Sequence, residues 1–215
     1  MTKMVAHILL NNTNQTTMMN ILYIHGYNGS PYGNTYALFN GIIDKTSTTL
    51  HTIDYDPTQP IVAIESIKQY IKDNNINLII GSSLGGFLTM HLYGYSRIVI
   101  NPCWDPATEL PLIDYTGPTE EYERLHHSLV EELDSEEQHL CSGCFAPLDE
   151  LLCTKYLEIF QQFFNRTYII PSGHQVSAEA VVKIVNEIIP DHEYQVTEYT
   201  RQLVGMDNAP WFDKL

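Results

Sequence analysis

The hexapeptide Gly81-Ser82-Ser83-Leu84-Gly85-Gly86 directly follows the apolar run Leu78-Ile79-Ile80. Read as G-x-S-x-G, it centres on Ser83, with Gly81 and Gly85 two residues to either side. Ser82 fails the same register, which would need glycine at Ile80 and Leu84. A short buried strand, a sharp turn and an ensuing helix form a nucleophile elbow, with the central serine exposed at the turn. The glycines have a steric reason: side chains at the flanking positions would collide with the neighbouring strand and helix. A phosphate-cradling loop of the Walker type needs a Gly-Lys-Ser/Thr ending, and no lysine is near. The plainest competing reading is a glycine-rich turn without chemistry.

A serine hydroxyl is a poor nucleophile until a base takes its proton, and the base needs an orienting acid. On a strand–elbow–helix scaffold the chain order is serine, acid, histidine, each on a loop after a core strand. Only His174 and His192 follow the last predicted strand. His174, in Pro171-Ser172-Gly173-His174, is favoured because the glycine lets a tight loop turn the imidazole back over the sheet edge. His192 is expected one turn past a helix end. His91 is expected on the helix after the elbow, facing away from Ser83, and His25 is expected to shape its own loop.

Asp149 and Glu150 are the candidate acids. Asp149 is preferred because it precedes Leu151-Leu152, an apolar pair that would anchor the next helix; the same residue could cap that helix. Glu150 would need a different approach to the imidazole. An oxyanion hole is also required. The loop His25-Gly26-Tyr27-Asn28-Gly29-Ser30 follows the first predicted strand, and the amides of Tyr27 and Leu84 are the expected donors. Gly26 and Asn28 are expected to line the substrate. The competing reading of this loop is a plain turn.

The elements that must position these groups are legible as alternation. Apolar strands are predicted at residues 21–24, 50–53, 77–80, 97–100, 139–142 and 167–170. Helical stripes fill the gaps: Ile61, Ile64, Ile67 and Ile71; Leu152, Tyr156, Ile159 and Phe163; and Val181, Ile184, Val185 and Ile188, with Pro190 ending that helix. Strands alternating with helices predict a mostly parallel sheet covered on both faces. Residues 101–137 form an insertion with a stripe of Tyr122, Leu125, Leu129 and Leu133 on an otherwise acidic helix. Such an insertion near the nucleophile is where a lid would be built; a solvated surface helix is the alternative. His126 and His127 are expected at its surface. The predicted organisation is an extension over residues 1–18, one domain over 19–190 and a tail over 191–215. The tail holds Tyr194, Tyr199, Trp211 and Phe212 without a clear period.

The 215 residues carry 26 acidic against 11 basic side chains, a formal net charge of −15, which disfavours nucleic acid and anionic membranes as partners. At 44% hydrophobic and 17% charged, the composition is that of a globular protein. No apolar run approaches the roughly 20 residues of a membrane helix, and no signal-peptide pattern is read at the start. A cytoplasmic location is expected. The cysteines are Cys103, Cys141, Cys144 and Cys153, and reduced thiols are expected of them. Cys141-Ser142-Gly143-Cys144 has C-x-x-C spacing, which with His139 and Cys153 could suggest a metal or redox site, although a second pair is missing.

Taken together, the chain resembles the α/β-hydrolases, specifically the small YqiA/YcfP-type esterases. The matching pieces run from Ile21-Leu22-Tyr23-Ile24-His25-Gly26-Tyr27-Asn28-Gly29-Ser30-Pro31, through Gly81-Ser82-Ser83-Leu84-Gly85-Gly86-Phe87 and Asn101-Pro102, to Asp149-Glu150-Leu151-Leu152 and Ser172-Gly173-His174. They keep the family's order and cover about residues 19–189. The resemblance implies an α/β-hydrolase fold, a Ser83–His174–Asp149 triad, carboxyl-ester hydrolysis, and no metal or organic cofactor. In the family the strand before the acid runs into a tight G-x-x-D turn. Here Gly143 stands six residues before Asp149, with Cys144-Phe145-Ala146-Pro147-Leu148 between.

The expected reaction is hydrolysis of a small-molecule ester or thioester through an acyl-enzyme on Ser83. The acidic insertion predicts a neutral or cationic substrate. The competing functions are a thioesterase or amidase with the same triad, a non-catalytic binding protein that keeps the fold, and a metal- or redox-linked protein using the C-x-x-C segment.

Overall fold

Six strands alternate with helices in the computed structural model, which describes residues 18–134, 136–152 and 155–204. In chain order these are β1 (Met19–Ile24), α1 (Asn34–Ile42), β2 (Thr48–Thr52), α2 (Pro60–Asp73), β3 (Leu78–Ser82), α3 (Leu84–Met90) and β4 (Ser96–Ile100). The insertion follows, with α4 (Pro106–Glu109), α5 (Glu120–Glu132) and α6 (Glu137–Leu140). The chain then runs through β5 (Cys141–Phe145), α7 (Lys155–Phe163), β6 (Arg166–Ile169), α8 (Ala178–Lys183) and α9 (Ile189–Val204). Every strand pairing is parallel, in the order β2-β1-β3-β4-β5-β6.

Alternation along the strands divides the core in two, because successive side chains point to opposite faces. Leu22, Ile24, Ile79 and Val99 pack under α2, α3, α5 and α7, against Ile64, Ile67, Phe87, Tyr122 and Phe160. Ile21, Tyr23, Ile80 and Ile98 pack on the other side against Phe39 of α1 and Val181, Ile184 and Ile188. The two faces explain why the strands read as nearly continuous apolar runs. The α2 stripe is Ala63, Ile64, Ile67 and Ile71; the predicted Ile61 is instead exposed at the helix start.

Two element boundaries differ from expectation, those of the fifth strand and of the last helix. The fifth strand starts at Cys141, not at residue 139, and of the residues between Gly143 and Asp149 it takes in Cys144 and Phe145, the rest forming the turn that ends at Asp149. Cys141 and Cys144 lie in different core layers, on opposite faces of β5, so the C-x-x-C pair cannot converge on one ion or bond to each other. Pro190 does not end the last helix. A π-turn over Ile184–Ile188 passes directly into α9, so Pro190 lies inside a continuous helical run, where the change of hydrogen-bond register accommodates a residue without an N–H. The predicted tail is therefore helical to Val204, with His192 and Thr200 buried. Cys153, Trp211, Phe212 and residues 1–17 lie outside the described residues. No helix among the described residues is long and apolar enough to cross a membrane.

The α9 helix docks through polar contacts beneath the start of β4 and β5. The His192 ring lies 2.8 Å from Ser96 Oγ through Nε2 and 2.7 Å from Ser142 Oγ through Nδ1, while Ser96 Oγ donates to Glu193 Oε1 at 2.9 Å. Beside it, fully buried Arg97 pairs with Glu137 and donates to the Met90 carbonyl at 2.7 Å. Burial, with Arg166 and Arg97 adding to it, pushes His192 down to about 3. Burial, with Arg97 adding to it, does the same to His91, also to about 3.

Both histidines are neutral in the folded protein, while the unfolded chain takes up their protons below about pH 6.5. Stability is then fully present above that pH and is lost as pH falls from about 6.5 toward 3, by at most about 1.4 kcal/mol per pH unit for each group. We expect the thermal midpoint to fall between pH 7 and pH 5 at constant ionic strength, followed by circular dichroism. In His192→Gln the slope should be shallower than in wild type; equal slopes would contradict this assignment.

Candidate active site

Parallel pairing puts all C-terminal strand ends on one edge of the sheet. The strand order reverses between β1 and β3, and such a switch point opens a crevice where the two following loops part. The loop after β1 carries His25, Gly26 and Tyr27; the turn after β3 carries Ser83. Register keeps the ends level, with Ile24 opposite Gly81, Ser82 opposite Ile100 and Phe145 opposite Ile169.

Ser83 stands between β3 and α3 with φ +53° and ψ −120°, a conformation disfavoured for a side chain. Its amide donates to the Ile100 carbonyl at 3.0 Å, and its carbonyl accepts from Cys103 at 3.1 Å. These bonds from the neighbouring strand hold the strained turn. The glycines act as the sequence suggests. A side chain at Gly81 would run into Thr89 and the Gly85 carbonyl, and one at Gly85 into the Ile24 and His25 carbonyls. A Cβ at Gly26 would stand 3.0 Å from Ser83 Cβ, so the first loop lies directly against Ser83. Ser82 points the other way, into the core, 2.7 Å from the Tyr23 hydroxyl.

The other predicted residues converge on Ser83. His174 Nε2 is 3.1 Å from Ser83 Oγ, and its Nδ1 is 3.0 and 3.1 Å from the two Asp149 oxygens. Asp149 lies in a tight turn directly after β5, closed by its amide bond to the Ala146 carbonyl at 3.1 Å. Its Oδ1 also accepts from the Leu151 and Leu152 amides at 2.9 Å each. The carboxylate thus caps its own loop and faces the imidazole at once. Burial pushes its pKa up, but the His174 bond and the two amides outweigh it, and the group lies below its ordinary range. The Asp149 side chain is 1% exposed and that of His174 15%, so the carboxylate is shielded while the imidazole and Ser83 reach solvent.

Glu150 reaches His174 at the backbone instead: Oε2 accepts from its amide at 3.1 Å. His25 braces the first loop, as expected, with Nδ1 2.8 Å from the Gly26 carbonyl and its ring stacked on Tyr55. Leu84 is the first residue of α3, so its amide has no intrahelical acceptor. Tyr27 meets Tyr115 of the insertion edge-on at 5.6 Å, and Asn28 adopts φ +55° at the exposed tip of the loop. His91 is buried against Phe87, and His192 is held under β4 and β5, remote from Ser83 in the hydrogen-bond network.

The insertion is packed down. Tyr122 and Leu129 are fully buried, and the Tyr122 hydroxyl donates to the Pro57 carbonyl at 2.6 Å. His126 is not merely a surface residue, since its Nδ1 is 2.9 Å from the Trp104 carbonyl. Sequence reasoning assigned no role to Asn101, which is buried at φ +42° directly after β4 and bonded to both neighbouring loops. A signal was present: asparagine is one of the few residues that tolerates the left-handed region at a strand end.

Residues 20–151 match the family described as Uncharacterised protein family (UPF0227), and the chain belongs to that family. No curated protein sequence matches it. Among solved structures it is similar to Est1E from Butyrivibrio proteoclasticus, at 13% identity and a TM-score of 0.62, covering 85% of this chain and 91% of that one. The esterase domain of a Rhodothermus marinus protein gives 13% identity and a TM-score of 0.60, over 88% and 89% of the two chains. A putative hydrolase of the alpha/beta superfamily from Xanthomonas campestris pv. campestris gives 14% and 0.54, over 80% and 99%. The fold is that of the α/β-hydrolases.

The glycine geometry yields a matched pair of substitutions. Gly85→Ala forces a methyl group against two main-chain carbonyls and should destabilise the protein by about 1–3 kcal/mol, or prevent folding. Gly41→Ala, in α1 with nothing near the added atom, should be neutral or stabilising by up to about 1 kcal/mol. Urea denaturation of both variants checks the pair, and equal effects would contradict the packing argument.

Proposed function

We propose that this UPF0227 member is a serine hydrolase that cleaves small carboxylic esters through an acyl-enzyme on Ser83. The observation that carries this reading is the continuous hydrogen-bonded chain from Ser83 Oγ through the His174 imidazole to buried Asp149, starting at a strained and solvent-reachable serine. The likeness in fold to Est1E and to an esterase domain supports the same class.

In this mechanism Nε2 of His174 takes the Ser83 proton as Oγ attacks the carbonyl carbon. The oxyanion is held by the amides of Leu84 and Tyr27, with Gly26 and Asn28 beside the substrate. Collapse breaks the bond to the leaving alkoxide, which receives the proton from His174. Water then gives its proton to His174, attacks the acyl carbon, and releases the carboxylic acid while Ser83 regains its proton. Asp149 holds the Nδ1–H tautomer and stabilises the transient imidazolium without itself becoming protonated. Glu120, Glu121 and Glu123 on α5 put negative charge on the insertion, which favours neutral or cationic substrates. Asp149 stays ionised at neutral pH because its pKa lies below the ordinary range.

The test is phosphonylation by a fluorophosphonate probe, read by intact mass. Wild type and Ser82→Ala should label, and Ser83→Ala should not. Asp149→Asn keeps an acceptor for the Leu151 and Leu152 amides, so it should fold yet lose on the order of 10⁴-fold in kcat. A panel of esters, thioesters and amides then assigns the leaving group. A folded wild type that does not label would favour the binding-protein reading instead.

A further inference from the structure

The peptide unit joining Gly173 to His174 is gripped at both ends by side chains. Its carbonyl oxygen accepts from Asn101 Nδ2 at 3.1 Å. Its N–H donates to Glu150 Oε2 at 3.1 Å. The two side chains come from different loops, those after β4 and β5, and the peptide they hold carries the imidazole that faces Ser83.

Asn101 does more than hold one carbonyl. Its Oδ1 accepts from the Ala146 amide at 2.8 Å, at the start of the turn that ends at Asp149. Its own amide donates to the Cys144 carbonyl at 2.8 Å, and the preceding carbonyl, that of Ile100, receives the Ser83 amide at 3.0 Å. One buried carboxamide therefore touches the loop of the acid and the loop of the base, one residue from the strand end that anchors the nucleophile. The amide orientation is set by its partners, since the Ala146 N–H can meet only the oxygen and the Gly173 carbonyl only the nitrogen.

Asparagine suits this place on three counts. It tolerates φ +42°, it supplies the acceptor, and it supplies the donor. Aspartate meets the first two and fails the third, placing a carboxylate oxygen against the Gly173 carbonyl. Glu150 supplies the remaining grip from the exposed side, and the His174 amide is the chief cause of its lowered pKa.

We infer that Asn101 and Glu150 are positioning residues that clasp the Gly173–His174 peptide and so set the distance from the imidazole to Ser83. This rests on the Ser83 hydrolase reading. The clasp acts on the placement of a base, where misplacement by about 1 Å costs on the order of 10²-fold in rate. Its loss should therefore lower kcat and leave KM nearly unchanged.

The experiment measures probe phosphonylation rates and ester kcat and KM for wild type, Asn101→Asp, Glu150→Ala, Glu150→Gln and the Asn101→Asp/Glu150→Ala double variant, with a thermal midpoint for each. We expect Asn101→Asp to lose about 10- to 100-fold in kcat and Glu150→Ala a smaller factor, with midpoints above the assay temperature. Glu150→Gln keeps an acceptor oxygen and should recover most of the Glu150→Ala loss. The double variant should lose less than the product of the single losses, because both side chains hold one peptide.

Wild-type rates in folded Asn101→Asp and Glu150→Ala would overturn the proposal. So would losses that appear in KM alone, or that multiply independently. If Asn101→Asp does not fold, the Glu150→Ala and Glu150→Gln pair decides, and failure of glutamine to restore the rate overturns the clasp. A wild type that is itself inert to probe and esters would refute the underlying hydrolase reading, whereas an active wild type with indifferent variants refutes only the clasp.

Discussion

The closeness of two main chains at the sheet's switch point governs this molecule. The α3 helix can start against the end of β1 only because position 85 has no side chain, and the sharp reversal out of β3 is possible only because position 81 has none. That contact fixes the direction of α3, which carries Phe87 and Leu88 into the core beneath the sheet. It also leaves Ser83 with nowhere to go but a left-handed backbone at the crest of the turn. The strain is held by bonds to the next strand, from the Ser83 amide to Ile100 and from Cys103 back to the Ser83 carbonyl. The poise of Ser83 is a consequence of core packing rather than an ornament on it.

The rest of the site is an exercise in tying loops to that fixed point. Loops are softer than sheets, yet the imidazole must sit within hydrogen-bond reach of Ser83. The structure shortens the acid loop to one tight turn after β5 and uses the Asp149 carboxylate to close it, so a single side chain is both cap and partner of His174. Such double use makes the carboxylate's geometry stiff: two amides fix it before the imidazole is counted. The price is burial, which raises the cost of the charge, and the hydrogen bonds more than offset it.

Much of this was legible in the sequence, for physical reasons that differ by residue. Gly81, Ser83 and Gly85 were readable because sterics leave few residue types for a sharp strand-to-helix turn. Asp149 and His174 were readable because parallel strands force their loops to one edge, in a known chain order. Legibility failed where tertiary context decides. The start of β5 was placed two residues early because Cys141-Ser142-Gly143-Cys144 has no strong β-propensity; it is a strand because it lies between β4 and β6. Pro190 reads as a stop in the sequence, whereas a π-turn before it carries the helix on and burial of His192 draws it under the sheet. Asn101-Pro102 is legible as a motif, but what Asn101 holds is not, since its partners lie 45 and 72 positions away.

Among the described residues three serine–histidine contacts occur, two of them made by His192, and distance alone does not favour the one at Ser83. Ser142 and His192 are 2.7 Å apart, closer than Ser83 and His174 at 3.1 Å. The tighter pair sits in a setting unsuited to proton transfer. His192 is fully buried, its other nitrogen faces a second serine instead of a carboxylate, and burial beside Arg166 and Arg97 keeps it neutral. An imidazole that resists a proton so strongly cannot serve as a base near neutral pH. His174 has the opposite setting: a buried carboxylate at one nitrogen, a serine on a strained backbone at the other, and an open side toward solvent. The two settings therefore differ in what surrounds the pair rather than in its length. The same contact between serine and histidine locks α9 in place at one end of the sheet and, in the proposed reaction, carries the proton at the other.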